Sequence, residues 1–257
     1  MPFTPSHAIA ILPFARTPLA PAALVIGSMA PDLPYFLPLG IQRSQTHSLS
    51  GVATIDLLVA AIGFLLWVAV LRDPVLDYSP AWLRERMAPQ AQWRLRGAVL
   101  TGLAVIAALL IGILSHLFLD LFTHEGGWIS SVAPWTNDDI GAFSVANYIH
   151  AVVSWTAAGV IALWVRRWTR RTPRTERASV VGPRERRMTW IALCSLLLVG
   201  GSVYLAIRLR AGFSGDVSDL LGTSFIRAAT VCGAIAAALV GMWYVRRARK
   251  ARDAVHT

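Results

Sequence analysis

Charged residues are scarce in this sequence. They make up 15% of its 257 residues, whereas a soluble globular domain usually carries about 25%. Lysine is nearly absent, since Lys250 is the only one, and arginine therefore supplies almost all of the basic excess behind the formal net charge of +10. Hydrophobic residues reach 55%, and the mean hydropathy is +0.55. This balance argues against an ordinary soluble domain and indicates a membrane protein.

Cysteine is scarce as well. Cys194 and Cys232 are the only two, and both fall in apolar stretches, which argues against a disulfide framework and a CxxC site. The arginines lie between apolar stretches and form no aromatic-interleaved patch on a soluble domain. We therefore expect no nucleic-acid partner. The expected partner is membrane lipid, because basic loops beside apolar spans contact anionic headgroups.

Five apolar stretches are long enough to cross a bilayer, which takes about 20 residues in a helix. They are Leu49–Leu71, Gly97–Phe122, Val145–Trp164, Trp190–Leu209 and Ser224–Tyr244. The sequence therefore predicts an all-α, polytopic membrane helix bundle that forms a single integral membrane domain over residues 1–257. Residues 49–244 would be its five-helix core, after an N-terminal segment at 1–48 and before a basic tail at 245–257.

The N-terminal segment holds a further apolar stretch, Pro18–Met29. It is too short to cross comfortably, and with residues 7–15 before it we expect a helical hairpin or a re-entrant segment. The alternative is that residues 18–29 do cross the membrane. That topology would move residues 1–15 to the other side and split the histidine cluster described below.

The loops alternate in charge and so predict the orientation. Arginines crowd residues 72–96, 166–187 and 246–252, whereas Thr123–Ser144 has no Lys or Arg, and Arg210–Thr223 has one Arg beside two Asp. The positive-inside rule places the basic loops and the C-terminus in the cytoplasm and the N-terminus outside. Near-absence of lysine hints at a bacterium, and hence at a multi-pass protein of the bacterial cytoplasmic membrane. We interpret Arg166–Arg187 as a solvated loop.

Histidines fall almost entirely on the predicted outer side. Only His256 of the six is predicted to be cytoplasmic, and ionisable residues near membrane depth are functional candidates because they are costly there. His116 and Asp120 are four residues apart and share one helix face, which His124 would extend. Imidazole nitrogen and carboxylate oxygen suit zinc, manganese or iron. The alternative is a His–Asp hydrogen bond that ties a helix end to a neighbour.

Two further motifs lie in the N-terminal segment. In Ala30-Pro31-Asp32-Leu33-Pro34, two prolines fix the backbone around one carboxylate. In Thr46-His47-Ser48, a hydroxyl can cap the first span and hold His47 at its start. Each alone is also an ordinary turn or cap. Taken together, the candidates supply enough ligands for one or two metal ions: His7, Asp32, His47, His116, Asp120 and His124.

These motifs resemble known families. The stretches Met1-Pro2-Phe3-Thr4-Pro5-Ser6-His7, Gly27–Pro34 and Thr46–Ser48 resemble the bacterial DUF4184 family of uncharacterised membrane proteins. The order His, Pro-Asp, Thr-His-Ser, His-x-x-x-Asp is also similar to the YdjM-like DUF457 family, whose members are described from their pattern as membrane-bound metal-dependent hydrolases. That second resemblance implies roles for His7, Asp32, Thr46, His47, His116 and Asp120. This chain departs from the pattern of that family at one motif: the family often has His-Arg-Gly, whereas this chain has Gln42-Arg43-Ser44.

The first functional hypothesis is a metal-dependent hydrolase, open to the outer face, that acts on a lipid or lipid-linked phosphoester. Zinc or manganese would activate water, Asp32 or Asp120 could serve as general base, and Arg43 would meet a phosphate. The second is a non-catalytic protein in which the cluster is a structural metal or hydrogen-bond clasp. The third is a transporter, which is disfavoured because the later spans hold few buried polar residues. We interpret Gly200, Gly201 and Gly233 as aids to close helix packing.

Overall fold

The computed structural model describes residues 4–15, 17, 19–37, 39–87, 98–124 and 127–253. The chain is almost entirely helical, which confirms the predicted fold class. Five of its helices are long and apolar enough to cross a membrane. Among the described residues, strand is limited to one antiparallel pair of two-residue strands, β1 (Asp139–Ile140) and β2 (Phe143–Ser144).

The helices follow the apolar stretches of the sequence. The spanning helices are α3, α5, α7, α8 and α9, and each extends past its predicted span at one end or both. The start of the second predicted span, Gly97, lies outside the described residues. The bounds are α1 (Pro21–Met29), α2 (Arg43–Thr46), α3 (Leu49–Tyr78), α4 (Ala81–Arg84), α5 (Ala98–Thr123), α6 (Trp128–Val132), α7 (Val145–Arg171), α8 (Pro183–Arg210) and α9 (Val217–Asp253).

The N-terminal segment is built from short helices. A 3-10 helix covers Thr4–Phe14, α1 follows, and a second 3-10 helix covers Ala30–Phe36. The nine residues of α1 span about 13 Å at 1.5 Å per residue, well short of the hydrocarbon core. The segment is therefore helical, as predicted, and α1 is too short to cross the bilayer by itself.

Two glycines bring α1 and α5 into backbone contact. A Cβ added to Gly27 would lie 2.3 Å from the carbonyl oxygen of Leu109, and one added to Gly112 would lie 2.4 Å from the carbonyl oxygen of Leu24. Any side chain at either position would force the two helices apart. Small residues permit this kind of approach between membrane helices, and here they fix where α1 lies along α5.

The core beside this contact is apolar with one exception. Leu24 of α1 and Leu109 and Ile113 of α5 are fully or almost fully buried. The helix α3 packs against the same core with one face, on which the buried residues are spaced four apart: Val52, Asp56 and Ala60. Asp56 is 0% exposed, and neither carboxylate oxygen has a hydrogen-bond partner among the described residues. The turn that carries it, Val52–Asp56, is π-helical, a distortion frequent at functional sites.

The chain divides into two compact units. The first comprises Met1–Phe64, Leu95–Val165 and Phe213–Thr223, and the second comprises Leu65–Arg94, Arg166–Gly212 and Ser224–Thr257. All the candidate metal ligands belong to the first unit. The prediction of a single integral membrane domain over the whole chain stays a prediction.

A buried carboxylate organises the second unit. Asp77, near the end of α3, is 3% exposed and accepts hydrogen bonds from Nε1 of Trp243 (2.7 Å), from the backbone N–H of Val180 (3.0 Å) and from the hydroxyl of Ser179. Arg186 donates to the backbone carbonyl of Asp77 (2.8 Å). The solvated loop interpreted at Arg166–Arg187 is thus correct for residues 173–178, which lie outside the helices and are mostly exposed, but not for residues 179–181, which are held against Asp77.

We expect Asp77→Ala to lower the free energy of unfolding by about 3 kcal/mol, because it leaves several buried donors without an acceptor. Unfolding in detergent micelles, followed by tryptophan fluorescence, measures the change. Asp73→Ala is the matched control. Asp73 also pairs with an arginine, Arg177 (2.7 Å), but its side chain is 41% exposed, and the expected loss is below about 1 kcal/mol. Equal losses in the two variants would contradict the role assigned to Asp77.

Candidate metal centre

The candidate ligands come from four helical elements whose ends meet in the first unit. His7 lies on the 3-10 helix Thr4–Phe14, Asp32 lies on the 3-10 helix Ala30–Phe36, and His47 directly follows α2. His116 and Asp120 lie in the last two turns of α5. All five side chains are at most 10% exposed. Five donor side chains, from four separate stretches of the sequence, are thus packed into one buried cluster.

Two imidazoles and two carboxylates face one another at its centre. Nε2 of His47 lies 3.3 Å from Nε2 of His116, 3.2 Å from Oδ2 of Asp120 and 3.7 Å from Oδ1 of Asp32. Nε2 of His116 lies 3.7 Å from each of the same two carboxylate oxygens. Ligands bound to one zinc ion at 2.0–2.2 Å in a tetrahedron are about 3.3–3.6 Å apart. The observed spacing therefore fits one central ion with small adjustments.

Hydrogen bonds behind the two imidazoles orient their ring nitrogens. Nδ1 of His116 donates to the backbone carbonyl of Ser28 (2.8 Å), and in the neutral ring this leaves the lone pair on Nε2, toward the cluster. Nδ1 of His47 lies 2.9 Å from the hydroxyl of Thr46, which itself donates to the carbonyl of Arg43. A backbone carbonyl or hydroxyl behind a histidine is the usual support of a metal ligand.

His7 completes the cluster from the N-terminal segment. Its ring stacks on that of His116, with centroids 4.0 Å apart, and its Nε2 lies 3.6 Å from Oδ1 of Asp120. His7, Asp32 and His116 can each offer an atom to one ion, as can His47, His116 and Asp120. Burial, and then the neighbouring His116, lower the pKa of His7 to about 4. The ring is therefore neutral at pH 7, which is the form that binds metal.

Arg43 closes the exposed side of the cluster. Its guanidinium donates to Oδ2 of Asp120 (2.6 Å), and its side chain is 37% exposed. The neighbouring Gln42, at the position where a histidine is common in the YdjM-like pattern, is engaged in a reciprocal capping box with Gln45 at the start of α2. Gln42 thus serves the backbone of α2, which holds Arg43 and His47 in place.

A cavity of about 640 Å³ adjoins the cluster. Arg43, His47 and Asp120 form part of its polar wall. Its apolar wall includes Leu114 and Phe118 of α5, which are 48% and 60% exposed on a helix apolar enough to span a membrane. The cavity therefore joins the polar cluster to a surface suited to lipid.

The resemblance to DUF4184 extends over most of the chain. The chain matches the DUF4184 family model, a domain of unknown function, over residues 1–245. The chain belongs to the DUF4184 family. No curated protein and no solved structure matches it. The match concerns DUF4184 alone, and the resemblance to the YdjM-like family stays a prediction.

One buried histidine of this DUF4184 protein was left out of the predicted ligand set. His150, near the start of α7, is 5% exposed, and its ring packs edge-on against His124, with centroids 4.5 Å apart. A signal for it exists in the sequence. Apart from His150, the buried residues of α7 are small, namely Ala146, Ser154 and Ala157. With His150, they recur every three or four residues and mark one inward helix face, on which His150 is the residue of a type that can bind metal.

Proposed function

We propose that this DUF4184 protein is a membrane-embedded, metal-dependent hydrolase of lipid or lipid-linked phosphoesters. The observation that carries the proposal is the cavity, because it borders metal-ligating side chains, an arginine and an apolar, membrane-exposed wall at once. Such a space suits a substrate with a phosphate group and a hydrocarbon chain. The loop charges further favour an opening at the outer face of a bacterial cytoplasmic membrane.

His7, Asp32, His47, His116 and Asp120 would hold the ion, with zinc or manganese favoured by their nitrogen and carboxylate donors. A bound ion of this kind lowers the pKa of water and polarises a phosphoryl oxygen. The protein's own residues supply the rest. Arg43, which lines the cavity, would bind a phosphate oxygen through its guanidinium fork. Asp120, which lines the cavity, or Asp32 would, instead of binding the ion, accept the proton of water.

The second candidate is a structural clasp without catalysis. It is favoured by one set of contacts, because the Arg43–Asp120 ion pair and the His116–Ser28 hydrogen bond already join α2 and α1 to α5. Such contacts would hold the N-terminal segment on the spans whether or not a reaction follows. Metal content measured together with turnover separates the two candidates, because only the hydrolase needs both.

Two phosphoesters with the same headgroup test the hydrolase. One carries a long acyl or prenyl chain in mixed micelles, and the other is a short-chain, water-soluble analogue. We expect metal-dependent phosphate release with kcat/KM at least about tenfold higher for the long-chain substrate, a difference of about 1.4 kcal/mol. Arg43→Gln should raise KM by about 10–100-fold, since a hydrogen bond to a charged group contributes about 1.5–3 kcal/mol.

Arg43→Gln needs a metal control, because Arg43 also contacts Asp120. Its metal content should equal that of the parent. Absence of turnover on both substrates by a metal-loaded protein would contradict the hydrolase and favour the clasp. Equal turnover of the two substrates would contradict the lipid specificity and leave hydrolysis standing.

A further inference from the structure

A second group of buried donors lies beside the candidate metal centre, on the side of α7. His150 is 5% exposed, and neither of its ring nitrogens has a hydrogen-bond partner among the described residues. Buried polar groups are rarely left in this condition, and each exception calls for an explanation. An imidazole nitrogen is also the commonest metal ligand in proteins.

His150 is linked to the centre through His124. The two rings meet edge-on at a centroid distance of 4.5 Å. Nδ1 of His124 lies 3.2 Å from Oδ1 of Asp120. The His124 side chain is 21% exposed at the end of α5 and lines the cavity. The chain thus places His124 next to a carboxylate oxygen of Asp120, and His150 against the ring of His124. His124 and Asp120 both line the cavity, so an ion can reach this point from it.

The carboxylate of Asp120 faces two separate sets of partners. Its Oδ2 lies near His47 and His116, at 3.2 and 3.7 Å, whereas its Oδ1 lies near His124 and His7, at 3.2 and 3.6 Å. A ring nitrogen has one lone pair and binds one ion, so Nε2 of His116 serves a single central ion. The two histidines beyond Oδ1, His124 and His150, remain available for another. Two metal ions about 3.5–4 Å apart are a recurrent arrangement in phosphoester hydrolysis.

We propose that His124, His150 and Oδ1 of Asp120 hold a second divalent cation, and that the carboxylate of Asp120 bridges the two ions. The proposal rests on the proposed function for its first ion. Two nitrogens and one oxygen favour zinc or manganese over calcium or magnesium. The second ion would lie on the His124 side of the cavity, where it would face a bound phosphoester.

Metal analysis of the full chain in detergent micelles, after loading with zinc and removal of the excess, tests the second site. We expect two ions per chain in the parent and one in His150→Ala. Ser154→Ala is the matched control, because Ser154 is buried on the same face of α7 one turn further on, and it should keep two ions. His150→Asp should also keep two ions, since aspartate can bind metal. If His150 served only in packing, the shorter aspartate would not restore the second ion.

Manganese gives an independent readout. Two manganese ions bridged by a carboxylate couple magnetically, so the parent should show a coupled electron paramagnetic resonance spectrum, and His150→Ala the six-line signal of an isolated ion. A parent with one ion, or a His150→Ala variant that keeps two, would overturn the second site and leave the proposed hydrolase intact. A parent that binds no ion would overturn both proposals.

Discussion

Replacing Asp120 by asparagine is expected to remove the bound metal from the purified protein. Oδ2 of Asp120 lies 3.2 Å from Nε2 of His47, and Oδ1 lies 3.2 Å from Nδ1 of His124. Each oxygen of this carboxylate thus contacts a different candidate ligand. The amide of asparagine carries no negative charge and offers one acceptor oxygen, whereas the carboxylate offers two. Metal content should fall from stoichiometric to less than about one tenth of the parent value.

Turnover should fall with the metal. A loss of at least about 100-fold is expected, because changes to residues behind metal ligands already cost about 10–100-fold. Asp139→Asn is the control, since Asp139 is an exposed aspartate of the same unit, and both values should match the parent. Elemental analysis and phosphate release are measured on the same preparations.

The variant His116→Ala tests whether the loss of metal in Asp120→Asn comes from the loss of a ligand or from misfolding. Asp120 also pairs with Arg43, so Asp120→Asn loses an ion pair as well as a ligand, whereas His116→Ala keeps that pair. Because His116 is itself a proposed ligand, His116→Ala should also lose the central ion. If both variants retain stoichiometric metal, the ion lies elsewhere and the candidate centre is wrong.

The second large effect is expected from Gly112→Val. The new Cβ would lie 2.4 Å from the carbonyl oxygen of Leu24 and 2.7 Å from the backbone nitrogen of Ser28. Backbone atoms cannot yield as a flexible side chain can, so α1 must move away from α5. We expect a loss of at least about 3 kcal/mol in the free energy of unfolding, at the upper end for overpacked sites.

The same displacement should reach the metal centre. Ser28 lies in α1, and its carbonyl accepts the hydrogen bond that orients His116. Protein that remains folded should therefore also bind metal more weakly. Thermal unfolding monitored by size-exclusion chromatography gives the stability, and elemental analysis of the folded fraction gives the metal content. Gly102→Val is the control, because outside the backbone of its own helix no atom of the described residues lies within 4 Å of a Cβ added there. Similar behaviour of the two variants would contradict the tight α1–α5 contact.

Much of the architecture could be read from the sequence, because the bilayer imposes a length on every spanning helix. The five predicted spans fall within or close to the five long helices. The helix ends were harder to predict, because the limits of an apolar stretch do not show where the backbone hydrogen bonds of the helix end. For example, α9 continues to at least Asp253, well beyond the predicted span end at Tyr244, because arginine is about as good a helix former as leucine.

The candidate site was predictable where its residues are close in the sequence. The spacing of His116 and Asp120 alone places them on one helix face. Their meeting with His7, Asp32 and His47 was suggested by topology and family resemblance, but no local pattern encodes the distances between those residues.

Close helix contacts were the least predictable feature. A Cβ on Gly200 or Gly201 would meet only ordinary van der Waals neighbours, and one on Gly233 would meet open space. The tight contact involves Gly27 and Gly112 instead. A glycine in the sequence does not reveal which backbone lies opposite it, and that information exists only in the packed structure.

The buried carboxyl group of Asp56 has a consequence for biogenesis. An aspartate destabilises an isolated helix in lipid, by up to about 2.5–3.5 kcal/mol on insertion scales, the value for the helix centre. The core that covers the neighbours of Asp56 on the same helix face, Val52 and Ala60, includes Leu109 and Ile113 of α5, which the ribosome makes some fifty residues later. When α3 first leaves the translocon, that cover does not yet exist. Stable release of α3 into the bilayer should therefore wait for α5, so that the two helices enter together.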